Sequence, residues 1–236
     1  MNYCKNCLEP DTRPRSVFSL KGFCSACTYI EKKSKSSEQK RIKLFTKILK
    51  KFKSHKKYDC IIGVSGGKDS TRQALWVRDK FKVNPLLVCC TYPPDQITKA
   101  GHENLSNLIN LGFDVIVSGP SPVFWKKILK EGFFKGNYLR GPEIALFSSV
   151  PQIAIKYGIR LIIWGESPGY IWNNKKVQRK LEYDGNSLKF SNTISGCDLS
   201  WSRNFLQSER KLYPYIYPSN REFNKNRVQI VFLEYF

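Results

Sequence analysis

A chain of 236 residues with 41% hydrophobic and 14% aromatic side chains suits one α/β domain with a small appendage. No apolar run approaches the roughly 18 residues of a membrane-spanning helix, and Met1-Asn2-Tyr3-Cys4 lacks the apolar region of a signal peptide. The formal charge of +21 is an excess of the kind that accompanies nucleic acid or other polyanions.

Cys4-Lys5-Asn6-Cys7 and Cys24-Ser25-Ala26-Cys27 are two C-x2-C pairs separated by sixteen residues. Each pair offers two thiolates from one tight knuckle, and two knuckles complete a tetrahedral zinc site. Cys4, Cys7, Cys24 and Cys27 leave no open coordination position, so the expected role of the metal is structural. In so short a module, binding on the order of 10–16 kcal/mol substitutes for a hydrophobic core. Two reduced thiol pairs or disulfides are the bland alternative; the spacing and a cytoplasmic setting favour zinc.

Lys32 to Lys57 carries twelve Lys/Arg against one acid, Glu38. Ile42, Phe45, Ile48, Leu49 and Phe52 recur there at helical spacing, which predicts a basic amphipathic helix packed by its apolar stripe. Its charge admits RNA, but a lysine-rich solvated face is the more frequent explanation of such a run.

Tyr58 to Val64 reads as a buried strand that breaks at Gly66-Gly67. From Asp69-Ser70-Thr71 a helical pattern follows, with Ala74, Val77 and Phe81 on one stripe. Strand, glycine turn and helix start make a phosphate cradle: glycines admit close backbone approach, and the helix N-terminus adds partial positive charge. Lys68 supplies a full charge, while the Ser65 and Ser70 hydroxyls can donate to phosphate oxygens. The common mononucleotide loop needs Gly, four residues, then Gly-Lys-Ser/Thr. Here Ile62 stands at the first glycine and Asp69 follows Lys68. Ser-Gly-Gly-Lys-Asp-Ser instead resembles the signature of the PP-loop ATP pyrophosphatases, which implies ATP cleaved between its α and β phosphates.

Further strands are predicted at Pro85–Thr91, Phe113–Val117 and Arg160–Trp164, with helices at Thr98–Leu111, Pro122–Glu131 and Pro142–Tyr157, the last interrupted or kinked at Pro151. The alternation implies a parallel sheet covered on both faces, with ligands at the carboxyl ends of its strands. The cradle, Thr91-Tyr92 and Gly165-Glu166 all fall there, and the adenosine is expected over Thr91, held mainly by backbone groups. Glu166 can hold Mg2+ or position an incoming amine; otherwise it caps a turn. Tyr183-Asp184-Gly185-Asn186 reads as a hairpin turn. Trp201 to Asn204 and Lys211 to Pro218 form an aromatic, basic region that lines a groove or belongs to the core.

Taken in order, Tyr3-Cys4 with Pro10 to Pro14, Gly22-Phe23-Cys24-Ser25-Ala26-Cys27, Tyr58-Asp59-Cys60 leading into the loop, Asn104-Leu105, Gly112-Phe113-Asp114, Gly165-Glu166 and Tyr217-Pro218-Ser219 resemble the N-acetyl sugar amidotransferase family. The similarity spans essentially the whole chain. It implies an α/β, Rossmann-like parallel sheet of the PP-loop type (adenine nucleotide alpha hydrolase-like) with a small Cys4 zinc module. The expected units are 1–31 (zinc module), 32–57 (basic helix and linker) and 58–236 (catalytic domain). The implied activity turns an acetamido group of a nucleotide-linked sugar into an acetamidino group, in lipopolysaccharide or flagellin sugar biosynthesis. ATP, Mg2+ and structural Zn2+ are the implied cofactors, with a cytoplasmic location. A glutaminase subunit, with or without a cyclase-like one, would supply ammonia. Candidate catalytic residues are Lys68, Asp69 and Glu166; candidate nucleotide-binding residues are Ser65, Gly66, Gly67, Lys68, Asp69, Ser70 and Thr91.

A built-in triad glutaminase needs Cys, His and Glu together, and the only histidines are His55 and His102. Position 2 is Asn rather than the Cys of an N-terminal nucleophile. Two departures from the family stand out: where it carries an acidic residue and glycines shortly after Gly-Glu, this sequence reads Ser167-Pro168-Gly169-Tyr170-Ile171-Trp172-Asn173, and the chain is expected to be truncated at Phe236. The rival readings are a tRNA-thiolating PP-loop enzyme and an inactive nucleotide-binding remnant. Thiolation normally uses a reactive Cys after the loop, where only Cys89, Cys90 and Cys197 occur.

Overall fold

Period-two alternation along the apolar runs organises the molecule. The computed structural model describes residues 1–12, 17–53, 57–135, 138–165, 183–184 and 213–236. Strands β1 (Cys60–Gly63), β2 (Pro85–Cys90), β3 (Val115–Ser118), β4 (Leu161–Trp164), β5 (Tyr183–Asp184) and β6 (Gln229–Phe232) form one sheet in the order β3-β2-β1-β4-β6-β5. The first five positions are parallel; β5 runs antiparallel to β6.

Ile61, Ile162 and Ile230 are in register and point to one face; Ile62, Ile163 and Val231 point to the other. Helices α1 (Ser25–Ser34), α2 (Glu38–Phe52), α3 (Lys68–Phe81), α4 (Lys99–Asn110), α5 (Pro122–Phe134), α6 (Arg140–Tyr157) and α7 (Asn220–Asn226) complete the fold. The face of Ile62 is covered by α2, α3 and α4 through Phe45, Ala74, Val77 and Leu108. The face of Ile61 is covered by α5, α6 and α7 through Ile128, Ile144 and Phe223. Both faces are therefore buried, as continuous apolar strands require.

The basic stretch folds as expected in its middle, where α2 buries Phe45, Ile48, Leu49 and Phe52 and leaves Ile42 half-buried. Each such burial contributes about 1.5–3 kcal/mol. Neighbouring lysines such as Lys43 and Lys47 oppose the helix by only about 0.2–0.5 kcal/mol per pair, so packing decides. The unit boundary expected after residue 31 instead falls inside α1, which continues to Ser34. Ser37 then caps α2 by accepting the Lys40 N–H.

Other elements differ in detail. The third strand starts at Val115 rather than Phe113, because the Phe113 N–H closes α4 by donating to the Leu108 carbonyl. Helix α6 passes through Pro151 without interruption; buried Val150, Pro151 and Ala154 pack the flanks, and this offsets the missing bond. Tyr183 and Asp184, expected in a turn, pair with Ile230 and Gln229 at the sheet edge, while Gly185 and Asn186 lie outside the described residues. Tyr215 and Tyr217 are core residues rather than groove lining. Trp201 to Asn204, Lys211 and Leu212 lie outside the described residues, as do Pro14 and His55. Among the described residues no helix is long and apolar enough to cross a membrane.

Candidate functional site

The chain leaves β1 on one side for β2 and β3, then returns to the other side for β4, so the topological switch lies between β1 and β4. Crevices at such points, outside the carboxyl ends of the strands, are where open α/β sheets take ligands. Val64 continues the ladder by donating to the Val88 carbonyl at 2.9 Å, and the loop turns immediately after it.

Gly66 takes φ +79°, and a Cβ there would stand 3.1 Å from the Asn104 backbone. The left-handed backbone favours glycine, and the close Asn104 backbone leaves little room for a Cβ. Gly67 is the N-cap of α3 with an extended backbone and no side-chain cap. No side-chain cap takes up the first-turn amides of α3, the arrangement that receives an anion. The Ser65 and Ser70 hydroxyl oxygens are 3.4 Å apart. Ser70 Oγ accepts the Ser65 N–H at 3.3 Å and donates to the Gly67 carbonyl at 3.1 Å. Thr71 Oγ1 donates to the Gly66 carbonyl at 3.2 Å. These bonds hold the turn closed behind its exposed rim, on which Lys68 and Asp69 project into solvent.

Thr91 lies at the end of β2, and its N–H donates to the Ser118 carbonyl at 2.9 Å, so that amide is engaged within the fold. Its hydroxyl donates to the Tyr92 carbonyl at 3.1 Å. Gly165 closes β4, where a Cβ would collide with the Gln73 amide at 2.2 Å. Glu166, the following stretch to Asn173 and Cys197 lie outside the described residues. The structure therefore brings the Ser65–Ser70 loop and Gly165 to one end of the sheet, with Thr91 beside them on β2.

A cleft of about 580 Å³ opens at the switch point. One wall is a single face of α3, Asp69, Arg72, Gln73 and Trp76; the other is Leu233, Glu234 and Phe236 with Lys33 of α1. Sequence reading passed over Arg72 and Gln73, although their i, i+3 and i+4 spacing from Asp69 was the available signal. It also passed over Glu143. Helix α6 feeds β4 at its amino end, so its first turn lies near the carboxyl end of the sheet. Burial there pushes the Glu143 carboxyl above its ordinary range.

The four cysteines converge, with all ligand sulfurs within 4.8 Å of one another. Cys7 Sγ and Cys24 Sγ are 3.6 Å apart, close to the roughly 3.8 Å that tetrahedral bonds of about 2.3 Å from one zinc would set. All four are free thiols. Leu8 takes φ +61° as the first knuckle turns back, and its N–H donates to the Cys4 carbonyl. The second knuckle sits at the start of α1, with Cys24 as N-cap. Burial raises the Cys4 thiol, but backbone amides of Cys24, Asn6 and Cys7 outweigh it and bring it down to about 6. Burial pushes Cys24 up to about 12. Phe18 and Phe23 pack against this cluster. A four-thiolate donor set of this geometry can hold a metal ion and fits structural zinc.

Burial also pushes Cys90 up to about 12 and raises Cys89, which leaves both poor nucleophiles. No family model and no curated protein matches the chain.

Proposed function

We propose that this chain is a PP-loop ATP pyrophosphatase that acts as a sugar amidotransferase. The observation that carries the reading is the Ser65–Ser70 loop: a glycine turn leading into a helix N-terminus without a side-chain cap, beside the switch between β1 and β4. The ordered resemblance along the chain supplies the acceptor, a nucleotide-linked N-acetyl sugar.

In this reading Gly66, Gly67 and the first-turn amides bind the phosphates, Ser65 and Ser70 line the cradle, and Lys68 neutralises the β and γ phosphates. The adenosine lies toward Thr91. Asp69 and Glu166 are the carboxylates offered to Mg2+, which supplies further neutralisation of the triphosphate when bound. The acetamido oxygen attacks the α phosphorus and pyrophosphate leaves. Ammonia then adds to the activated carbon, and AMP departs with the former amide oxygen. The product is the acetamidine. Adenylation is needed because an amide oxygen is a poor leaving group. Ammonia comes from a glutaminase subunit, with or without a cyclase-like one, and the zinc module is structural. The burial of Cys89, the partial burial of Cys90 and the raised thiols of both count against sulfur transfer, and the cytoplasm is the compartment such chemistry uses.

The test is pyrophosphate release from ATP. It should require both a nucleotide-linked acetamido sugar and ammonia. Release driven by tRNA would replace this reading with thiolation, and nucleotide binding without turnover on any acceptor would reduce the chain to a remnant.

A further inference from the structure

Helix α1 belongs to the zinc module at its first residues and to the switch-point cleft at its last. Cys24 caps it and Cys27 lies in its first turn. Lys33, six residues beyond Cys27 and about 9 Å along the axis, lines the cleft opposite Asp69 and Arg72. The side chain that fixes it there is Glu234. The buried Tyr29 hydroxyl donates to Glu234 Oε2 at 2.7 Å. The Lys33 ammonium donates both to the Glu234 carboxylate and to its backbone carbonyl. The rings of Tyr29 and Tyr235 stand 6.4 Å apart, and Phe236 packs on Phe45 of α2 at 4.8 Å.

We propose that the zinc module completes the ligand cleft: Lys33, together with Arg72, contacts a phosphate-bearing ligand at the switch point, and metal held by the four cysteines keeps Lys33 in place. The inference rests on the nucleotide reading above and adds a residue from outside the sheet to it. Glu234 is the acid that holds the lysine, and its charge is taken up by Lys33 and Tyr29. Arg72 is exposed on the facing wall. An ammonium and a guanidinium on the two walls, each wall also carrying an aromatic ring (Trp76, Phe236) and one carboxylate (Asp69, Glu234), suit a phosphate attached to a flat or apolar ring. That phosphate is either the triphosphate of ATP or the phosphate of the acceptor. Metal and ligand are then linked: loss of zinc frees the start of α1, and the wall it carries loosens.

The experiment titrates the full chain with ATP and, separately, with UDP-N-acetylglucosamine as the acceptor probe, in Mg2+-free buffer so that a chelator acts on zinc alone. Lys33→Ala should weaken one of the two by about tenfold, the effect of one charged hydrogen bond, and the ligand affected identifies the source of the phosphate. Lys33→Arg should recover most of the loss. Stripping zinc from the wild type should cause a comparable loss, and stripping it from Lys33→Ala should add little, because both act through one contact. Zinc content and thermal transition confirm that each variant is folded; Tyr29→Phe and Glu234→Gln serve if Lys33→Ala is not, and each should show the same loss. Affinities that ignore Lys33 and zinc, while Lys68→Ala still weakens ATP, would overturn the proposal and leave the nucleotide reading standing. Failure of the zinc-loaded wild type to bind either ligand, in a parallel titration with Mg2+ present, would overturn both.

Discussion

Trp164 and Gly63 face each other across the β1–β4 pairing so closely that a Cβ on Gly63 would stand 2.6 Å from Trp164 Cζ3. The indole is buried and packs on Phe147 at 5.3 Å, so it cannot swing aside freely. The last residue of β1 is therefore glycine for a reason of space, two positions before the loop begins at Ser65. Gly63→Ala should cost about 1–3 kcal/mol by overpacking. Denaturant unfolding would show this as a lower midpoint with an unchanged slope, and Trp164→Phe in the same chain should restore part of it. A Gly63→Ala midpoint equal to wild type would contradict the contact.

The two loop glycines should separate. Gly66 has φ +79° and the Asn104 backbone at 3.1 Å, whereas Gly67 has φ −67° and only Ser65 Oγ at 3.4 Å. Gly66→Ala is expected to lose nucleotide binding and about 1–2 kcal/mol of stability, the ordinary cost of left-handed backbone with a Cβ. Gly67→Ala is expected to keep the fold's stability. Paired unfolding curves check the order; equal losses would mean that Asn104 does not back the turn.

Acid sensitivity should centre partly on Glu222. It closes a capping box with Ser219 at the start of α7. The Ser219 hydroxyl and N–H hold its carboxyl below the ordinary 4.5, outweighing burial. A carboxylate with a depressed folded value stabilises fully above its unfolded value, and loses that contribution as pH falls through the folded one. Glu222→Gln should therefore be less stable than wild type at about pH 7, with the gap closing as pH falls below the ordinary 4.5. Urea midpoints measure it, and a gap of constant size would refute the assignment.

For the metal, purified protein should carry one zinc per chain, and Cys24→Ser should lose it together with the N-terminal module. Less than half an equivalent of metal with intact thiols would remove zinc from the account.

The strand–turn–helix at Cys60–Phe81 was legible because three local signals agree there: an apolar run, a double glycine and a helical stripe through Ala74 and Val77. The paired cysteines were legible by spacing alone. What local pattern hides is long-range placement. Nothing around Lys33 in a charged run announces Glu234, which lies 201 positions away. Asn104 belongs to an ordinary-looking helix, yet its backbone dictates Gly66. Thr91 was read as a backbone contact for a ligand, but its amide is claimed by Ser118 through a β2–β3 pairing that only the sheet order reveals. Tyr183 and Asp184 read as a turn because two polar-flanked residues carry no period; they become a strand only through β6.

Identification of the products of ATP tests the central claim most directly. With a nucleotide-linked acetamido sugar and ammonia present, wild-type protein should form AMP and pyrophosphate in equal amounts, and Lys68→Ala should form neither. ADP with inorganic phosphate, or undiminished AMP and pyrophosphate from Lys68→Ala, would contradict it.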